Sequence, residues 1–430
     1  MNPSAHDIVL IADAPGALVE LCGISMLERL LRTLQRQGVR QVTVLSATPE
    51  PIATHIAKPS WARAQISAHL RARGAGPIAL ADVVAGSNRT PESGQGLILV
   101  IPAAMHCDPR LVRALLQKES PAILIDSDPP RVLQPLLEQA QRSSRGRVCG
   151  PLLIESGQSM PGDDLSTHMV TAAESSAITV VDVAQQPVYI REMRRDLRPL
   201  WFPAPAADQV QLAERLLLDA AQNGTLDFPA RVHAPIETWI ISKLSKTRIT
   251  PTQVTLFTAV VSAAVTISFA SGALLAGTFL ALLVGILDGL DGKQARVKVE
   301  TTELGKREHL LDYVLELSWW TALAHHFAST AQVPNAVGLL LLLVGADLAD
   351  RVAKQSVKKR LGCNLDDVAV IDRFVRLIGG RRNIYIWMFA AGLMLSAPGK
   401  TFVWLCWWGA ITAAVHVFRA IWIGLQRRTA

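Results

Sequence analysis

The segment DGLDGKQARVKVETTELGKREHLLDYVLE, residues 288–316, holds the side chains best suited to chemistry. Asp288 and Asp291 are three apart, a spacing that places both on one face of a helix, and Gly289 and Gly292 leave bare backbone beside them. Glu308, Asp312 and Glu316 follow at intervals of four, so on a second helix, at ~100° per residue, they fall within about 80° of arc. Two helices would each present a row of carboxylates. Such clustering is costly unless the acids are protonated or share a cation. Hard oxygen donors suit Mg²⁺ or Mn²⁺, and a pair of such ions is a recurrent device for gripping a pyrophosphate during in-line displacement at phosphorus. Arg296, just beyond the first pair, offers a fork for a phosphate oxygen. Metal-assisted phosphoryl transfer is the chemistry these residue types point to.

The elements that must carry these rows are apolar. Beyond Pro251 six apolar stretches predict an all-α, six-helix transmembrane bundle, at 254–270, 273–287, 310–328, 333–346, 384–396 and 402–425. The links after the second and fourth stretches hold most of the basic residues, among them Lys293, Arg296, Lys298, Arg351, Lys354, Arg373, Arg376, Arg381 and Arg382. That asymmetry predicts cytoplasmic termini and places residues 288–316 at the cytoplasmic edge. The closely spaced Lys293, Lys298, Arg373 and Arg376 are candidates to meet an acceptor phosphate. Asp347 and Asp350 read as interfacial acids paired with Arg351, and His233 with Glu237 as a contact along one helix face.

The first two hundred residues have a different rhythm. Short apolar runs (DIVLIA, VTVLSA, LILVIP, AILID) alternate with helical patterns such as SMLERLLRTLQRQG, predicting a parallel α/β domain at 1–200. A basic, proline-bearing stretch then begins a linker with juxtamembrane amphipathic helices at 201–252, and the bundle occupies 253–430. A mean hydropathy of +0.27 fits a chain that is partly membrane. The net charge of +7 is accounted for by basic loops facing anionic lipid, so no nucleic-acid partner is expected. Five scattered cysteines, none at C-x-x-C spacing, predict neither a disulfide framework nor a zinc site. The N-terminus shows no basic region followed by a long apolar core, so no cleaved signal peptide is expected.

DGLDGKQAR, eight further residues and then Gly305 resembles the D-x-x-D-G-x-x-A-R-x8-G opening of the signature of CDP-alcohol phosphotransferases, the CDP-alcohol phosphatidyltransferase family. TRITPTQVTL, ahead of the first stretch, is similar to that family's entry segment, with Thr252 where asparagine is usual. The signature's second half departs: counting from Gly305, its two aspartates would fall on His309 and Tyr313. Shortening by one residue makes Glu308 and Asp312 the third and fourth acids, and EHLLD favours this; lengthening by three makes them Asp312 and Glu316. The resemblance implies a homodimer in a bacterial inner membrane that moves a phospho-alcohol group from a CDP-alcohol to an acceptor hydroxyl, on a lipid or a polyol phosphate, and releases CMP. It implies two Mg²⁺ or Mn²⁺ ions held by Asp288, Asp291, Glu308 and Asp312. Gly292, Lys293, Ala295 and Arg296 would line the nucleotide site, and Asp312 or Glu316 would take the acceptor's proton.

GISMLERLLRTLQRQGVRQVTVLS and LILVIPAAMHCDPRLVRALL resemble segments of sugar nucleotidyltransferases, which implies a Rossmann-type, nucleotidyltransferase-like α/β domain at the N-terminus. Fusion of a cytidylyltransferase to a CDP-alcohol phosphotransferase is an arrangement seen in bifunctional enzymes that make inositol phosphodiesters. Here the loop LIADAPGALVELCG has one glycine before Gly23 and no lysine or arginine, a weak cradle for a triphosphate. The metal aspartate is missing unless Asp108 substitutes, so the domain is expected to be degenerate. Two other functions fit parts of the pattern: a membrane scaffold that binds nucleotide without turnover, and a cation-coupled transporter, which would need acids deeper in several spans.

Overall fold

The computed structural model describes residues 6–58, 66–87, 96–155, 164–224, 227–300 and 308–426. The chain forms two compact units. One is Met1–Asn223 with Ser245–Thr247 and Ala295–Thr301, and the other is Gly224–Leu244 with Arg248–Gln294 and Thr302–Ala430.

The first unit is built on an eight-stranded sheet. Seven of its strands are β1 (Asp7–Ile11), β2 (Gln41–Ser46), β3 (Ser67–Ala72), β4 (Leu97–Pro102), β5 (Ala122–Asp126), β6 (Gly146–Glu155) and β7 (Thr179–Asp182). Their order is β7-β5-β6-β4-β1-β2-β3. Val9 lies opposite Thr43 on one side and Val100 on the other, all parallel. The near-continuous apolar runs of β1, β4 and β5 follow from burial on both faces of the sheet. One strand differs from the all-parallel expectation. β6 runs antiparallel to both β4 and β5, and its register slips between Val148 and Leu152. The link from β5 folds as a 3-10 turn, Arg131–Leu137, with Pro135 inside it. A proline there removes a backbone donor, so no crossover helix forms to return the chain parallel.

Helix α1 (Met26–Arg36) starts at Ser25, whose hydroxyl accepts from the Glu28 amide. Its inward face carries charge as well as leucine. Buried Arg29 donates to the carbonyls of Leu21 and Val297, and buried Arg32 donates to Glu28, Glu300 and the Lys298 carbonyl. These bonds tie the 295–301 return into the unit. Helices α2 (Pro109–Leu116) and α3 (Leu165–Glu174) follow, and α3 lays Met169, Ala172 and Ala173 in the core cluster with Val9, Val100, Ile123 and Leu152.

The second unit is helical: α4 (Phe228–Leu244), α5 (Pro251–Ala270), α6 (Leu274–Leu287), α7 (Leu290–Val297, the last three residues of which count with the first unit), α8 (Glu308–Ser329), α9 (Ala336–Leu361), α10 (Val370–Ile378), α11 (Arg382–Met394) and α12 (Pro398–Gln426). A capping box sets the start of α5, with Thr250 and Gln253 satisfying each other's amides and Pro251 in the first turn. Helix α5 packs on α6 and α8, α9 on α12, and α11 on α6 and α12. Phe269 against Phe389 and Phe327 against Phe402 form part of the interior.

A helix stands at each of the six apolar stretches. Among the described residues three are long and apolar enough to cross a membrane: Pro251–Ala270, Leu274–Val297 and Pro398–Gln426. Helices α8 and α9 carry acids and bases along their length, and the 13 residues of α11 fall short of the ~20 a span needs.

Candidate functional site

The helix that begins at Leu274 turns at Asp288 and Gly289 before α7 resumes, and the two aspartates of the DGLDG run enter different surroundings. Asp288 caps α6 and is paired with Arg382 at 2.5 Å, with more than a third of its side chain exposed. Asp291 is buried. Its Oδ2 accepts from the Thr255 hydroxyl of α5 at 2.7 Å, and its Oδ1 accepts from the Gly292 amide at 2.5 Å.

The second acid row comes from α8. Arg382, at the start of α11, is paired with Asp288, and the negative charges of Glu316 and Asp312 on α8 lie near enough to act on it as well. The Arg382 guanidinium also sits 6.0 Å from the centre of the Trp319 ring. Glu316 also lies in the field of Asp347 and Arg351. The Glu308 side chain, like Gly305, lies outside the described residues. Among the described residues no three His, Cys, Asp or Glu side chains are close enough together to hold a metal ion.

The glycines of the run have a packing role. Helix α4 presents buried His233 and Glu237 to α6: a Cβ added at Gly285 would lie 3.0 Å from His233 Cε1, and one at Gly289 would lie 2.7 Å from Glu237 Oε1. His233 and Glu237 thus both pack on glycines of the 285–289 stretch, which brings the Glu237 carboxylate against the residue that follows Asp288. The basic candidates are also engaged. Lys293 is buried and donates to the Thr238 hydroxyl, Lys298 donates to the Thr247 carbonyl, and Arg296 Nε donates to the Ala221 carbonyl. Arg376 is buried in a pair with Asp366, which ties up the guanidinium expected to meet a phosphate; Arg373 is exposed. Arg351 pairs with Asp347 at 2.7 Å, whereas Asp350 is shared between Lys354 at 2.6 Å and His416 at 2.5 Å.

Arg382, Thr255 and Glu237 are the site residues that sequence reasoning missed. Arg382 was one of many basic residues after the fourth apolar stretch. Its position directly ahead of the fifth was the only signal that set it apart.

In the sheet unit, the loop after β1 carries Asp13, which accepts from the Ala47 amide and is paired with Arg73. Asp108 caps α2 and forks onto Arg110, with bonds of 2.9 and 3.0 Å, so it is engaged in local structure. At the ends of β5 and β7, buried Asp126 accepts from Arg198 and from the Trp201 indole, and Asp182 accepts from Ser127 and the Ala184 amide. The His106 ring packs on Phe202 at 4.9 Å; burial, aided by the charge of Arg29, holds its pKa down at about 3.

No family model matches the chain, and no curated protein matches it. Solved structures do match its first half. One assigned as a glucose-1-phosphate thymidylyltransferase from Bacillus anthracis is 12% identical, with 49% of this chain and 95% of that one covered and a TM-score of 0.36. The inositol-1-phosphate CTP transferase from T. maritima is 8% identical over 49% of this chain and 96% of its own, with a TM-score of 0.34. A UDP-glucose pyrophosphorylase from Acinetobacter baumanii is 9% identical over 49% and 92%, with a TM-score of 0.32.

Proposed function

We propose that the chain is an integral membrane transferase of the CDP-alcohol phosphotransferase kind. The observation that carries this reading is the Asp288–Arg382 pair in the field of Asp312 and Glu316, three residues ahead of the buried Asp291. The acceptor oxygen attacks the phosphorus next to the alcohol, the bond to CMP breaks, and the proton passes to Asp312 or Glu316. Gly292, Ala295 and Arg296 belong to the nucleotide side on this reading. The sheet unit, with Asp13 in the phosphate loop, is a scaffold. The enzyme is a homodimer with both termini and the site on the cytoplasmic face.

The acids fit Mg²⁺ or Mn²⁺ in donor type. They do not fit in arrangement: no three gather among the described residues, and Asp288 is paired with Arg382. A divalent ion bound by Asp288 must therefore compete with the guanidinium.

The test incubates the full-length protein in liposomes with a panel of CDP-alcohols and acceptor alcohols, with and without Mg²⁺ or Mn²⁺, and identifies CMP and product by mass spectrometry. Metal-dependent CMP release that disappears in Asp291→Asn supports the reading; normal turnover by that variant sinks it. The Asp288–Arg382 pair also suits a second reading, a nucleotide-binding scaffold without turnover. Tight CDP binding with no CMP product would establish that one.

A further inference from the structure

Helix α10 is amphipathic in the inverse sense. A helix on a water-soluble protein turns its apolar stripe to the core and its charges outward. At ~100° per residue, Val370, Phe374, Ile378 and Ile371 fall within about 100° of arc, and all four are exposed, Val370 to 81% and Phe374 to 55%. Asp372 and Arg376 lie on the opposite side, and both are buried. Arg419 of α12 forks onto Asp372 with bonds of 2.7 and 2.8 Å, and Arg376 is paired with Asp366 in the turn that precedes the helix. Breaking a buried ion pair leaves an uncompensated charge, so these two pairs fix which side of α10 faces out. The polar side is held against protein and the apolar side is presented outward, next to a helix long and apolar enough to span a bilayer.

The charges around the exposed stripe indicate what covers it. Arg373 stands at its border, exposed, and Lys358, Lys359 and Arg360 at the end of α9 are exposed as well. Apolar side chains bordered by cations match a leaflet whose headgroups are anionic, with the stripe in the acyl boundary and the cations at the phosphates.

We propose that α10 is an interfacial anchor that lies in the plane of an anionic phospholipid leaflet, with Phe374 and Ile371 inserted below the headgroups. This rests on the membrane reading of the helical unit and is independent of the transfer reaction. Insertion of this face fixes the depth of the connection between α9 and α11, and hence of Arg382, just past its end.

The test uses the full-length protein in vesicles of phosphatidylcholine and phosphatidylglycerol. Cys363→Ser removes the one cysteine that is not buried. Single nitroxide labels are then placed at Phe374→Cys, at Ile371→Cys and, as a reference on the outward face at the middle of α5, at Val260→Cys. Collision with oxygen exceeding collision with a water-soluble nickel chelate at 374 and 371, at shallower depth than at 260, supports the anchor. A rise in nickel access at 374 when phosphatidylglycerol is left out supports its anionic character, and unchanged access overturns that part. Water-like access at 374 and 371 with lipid-like access at 260 overturns the proposal. Spin–spin broadening at 374 also overturns it, by showing a second copy on the stripe. Water-like access at all three positions removes the membrane reading and this inference with it.

Discussion

In the sheet unit, Asp13, Asp108, Asp126 and Asp182 each answer to their own local donors: an arginine, a helix N-terminus, an indole or a backbone amide. In the helical unit, Asp288 is paired with Arg382, and Asp312 and Glu316 of another helix add their charges around it. The first arrangement satisfies each acid singly and stabilises a fold. The second sets acids from two helices in the field of a shared arginine, so that removing Arg382 opens their charge to a positive ligand. Acids at strand ends and acids at helix ends thus have different consequences, although a count of residues would not separate them.

The comparison can be broken most sharply by exchanging acid for amide in each unit. Asp291→Asn is expected to lower CMP release by on the order of 100-fold or more, the scale of removing one preorganised group from a transition-state site. Asp13→Asn in the sheet unit is expected to leave release unchanged, and equal losses in both would erase the distinction. Next in size is Asp126→Ala, which orphans Arg198 and the Trp201 indole and is expected to cost roughly 3 kcal/mol, read as a lower melting temperature of the sheet unit with its near-ultraviolet signal. Arg382→Gln sharpens the other side: with the guanidinium gone, Mn²⁺ affinity measured by its paramagnetic resonance signal is expected to rise about 10-fold, a change of ~1.4 kcal/mol in the local field. An unchanged affinity would mean that the acids and Arg382 do not share one ligand space.

The last effect is on pH dependence. Folded His106 titrates at about 3 and an unfolded histidine near ~6.5, so the folded pKa is depressed. The neutral ring is therefore at no disadvantage above about pH 6.5. Below it the unfolded chain takes up a proton that the folded one refuses, and stability falls by at most about 1.4 kcal/mol per pH unit down to about pH 3. His106→Gln is expected to flatten that acid limb in a denaturation series across the interval, and an unaltered slope would assign the limb to other groups.

Much of the fold was legible because it follows period and composition. The apolar runs DIVLI, LILVIP and AILID became central strands, and a helix stands at each apolar stretch after Pro251. The reversed direction of β6 was not legible, since it depends on what the preceding link fails to form rather than on the strand's own residues. In the site, the acids on α8 were legible from their spacing of four. The break at Asp288 and Gly289 was hidden by a periodicity that reads straight through it. Arg382 was hidden because it reaches Asp288 from 94 residues away, and only the packing of α11 on α6 brings the two together.

The contact of Gly289 with Glu237 gives a nucleotide-like signature a second author. A methyl group at 289 would meet the carboxylate oxygen before any ligand arrived, so the missing side chain is already spoken for by a neighbour that precedes the motif in the chain. Enlargement at 289 obliges the end of the Glu237 side chain to swing aside, so Gly289→Ala moves a carboxylate as well as filling a gap.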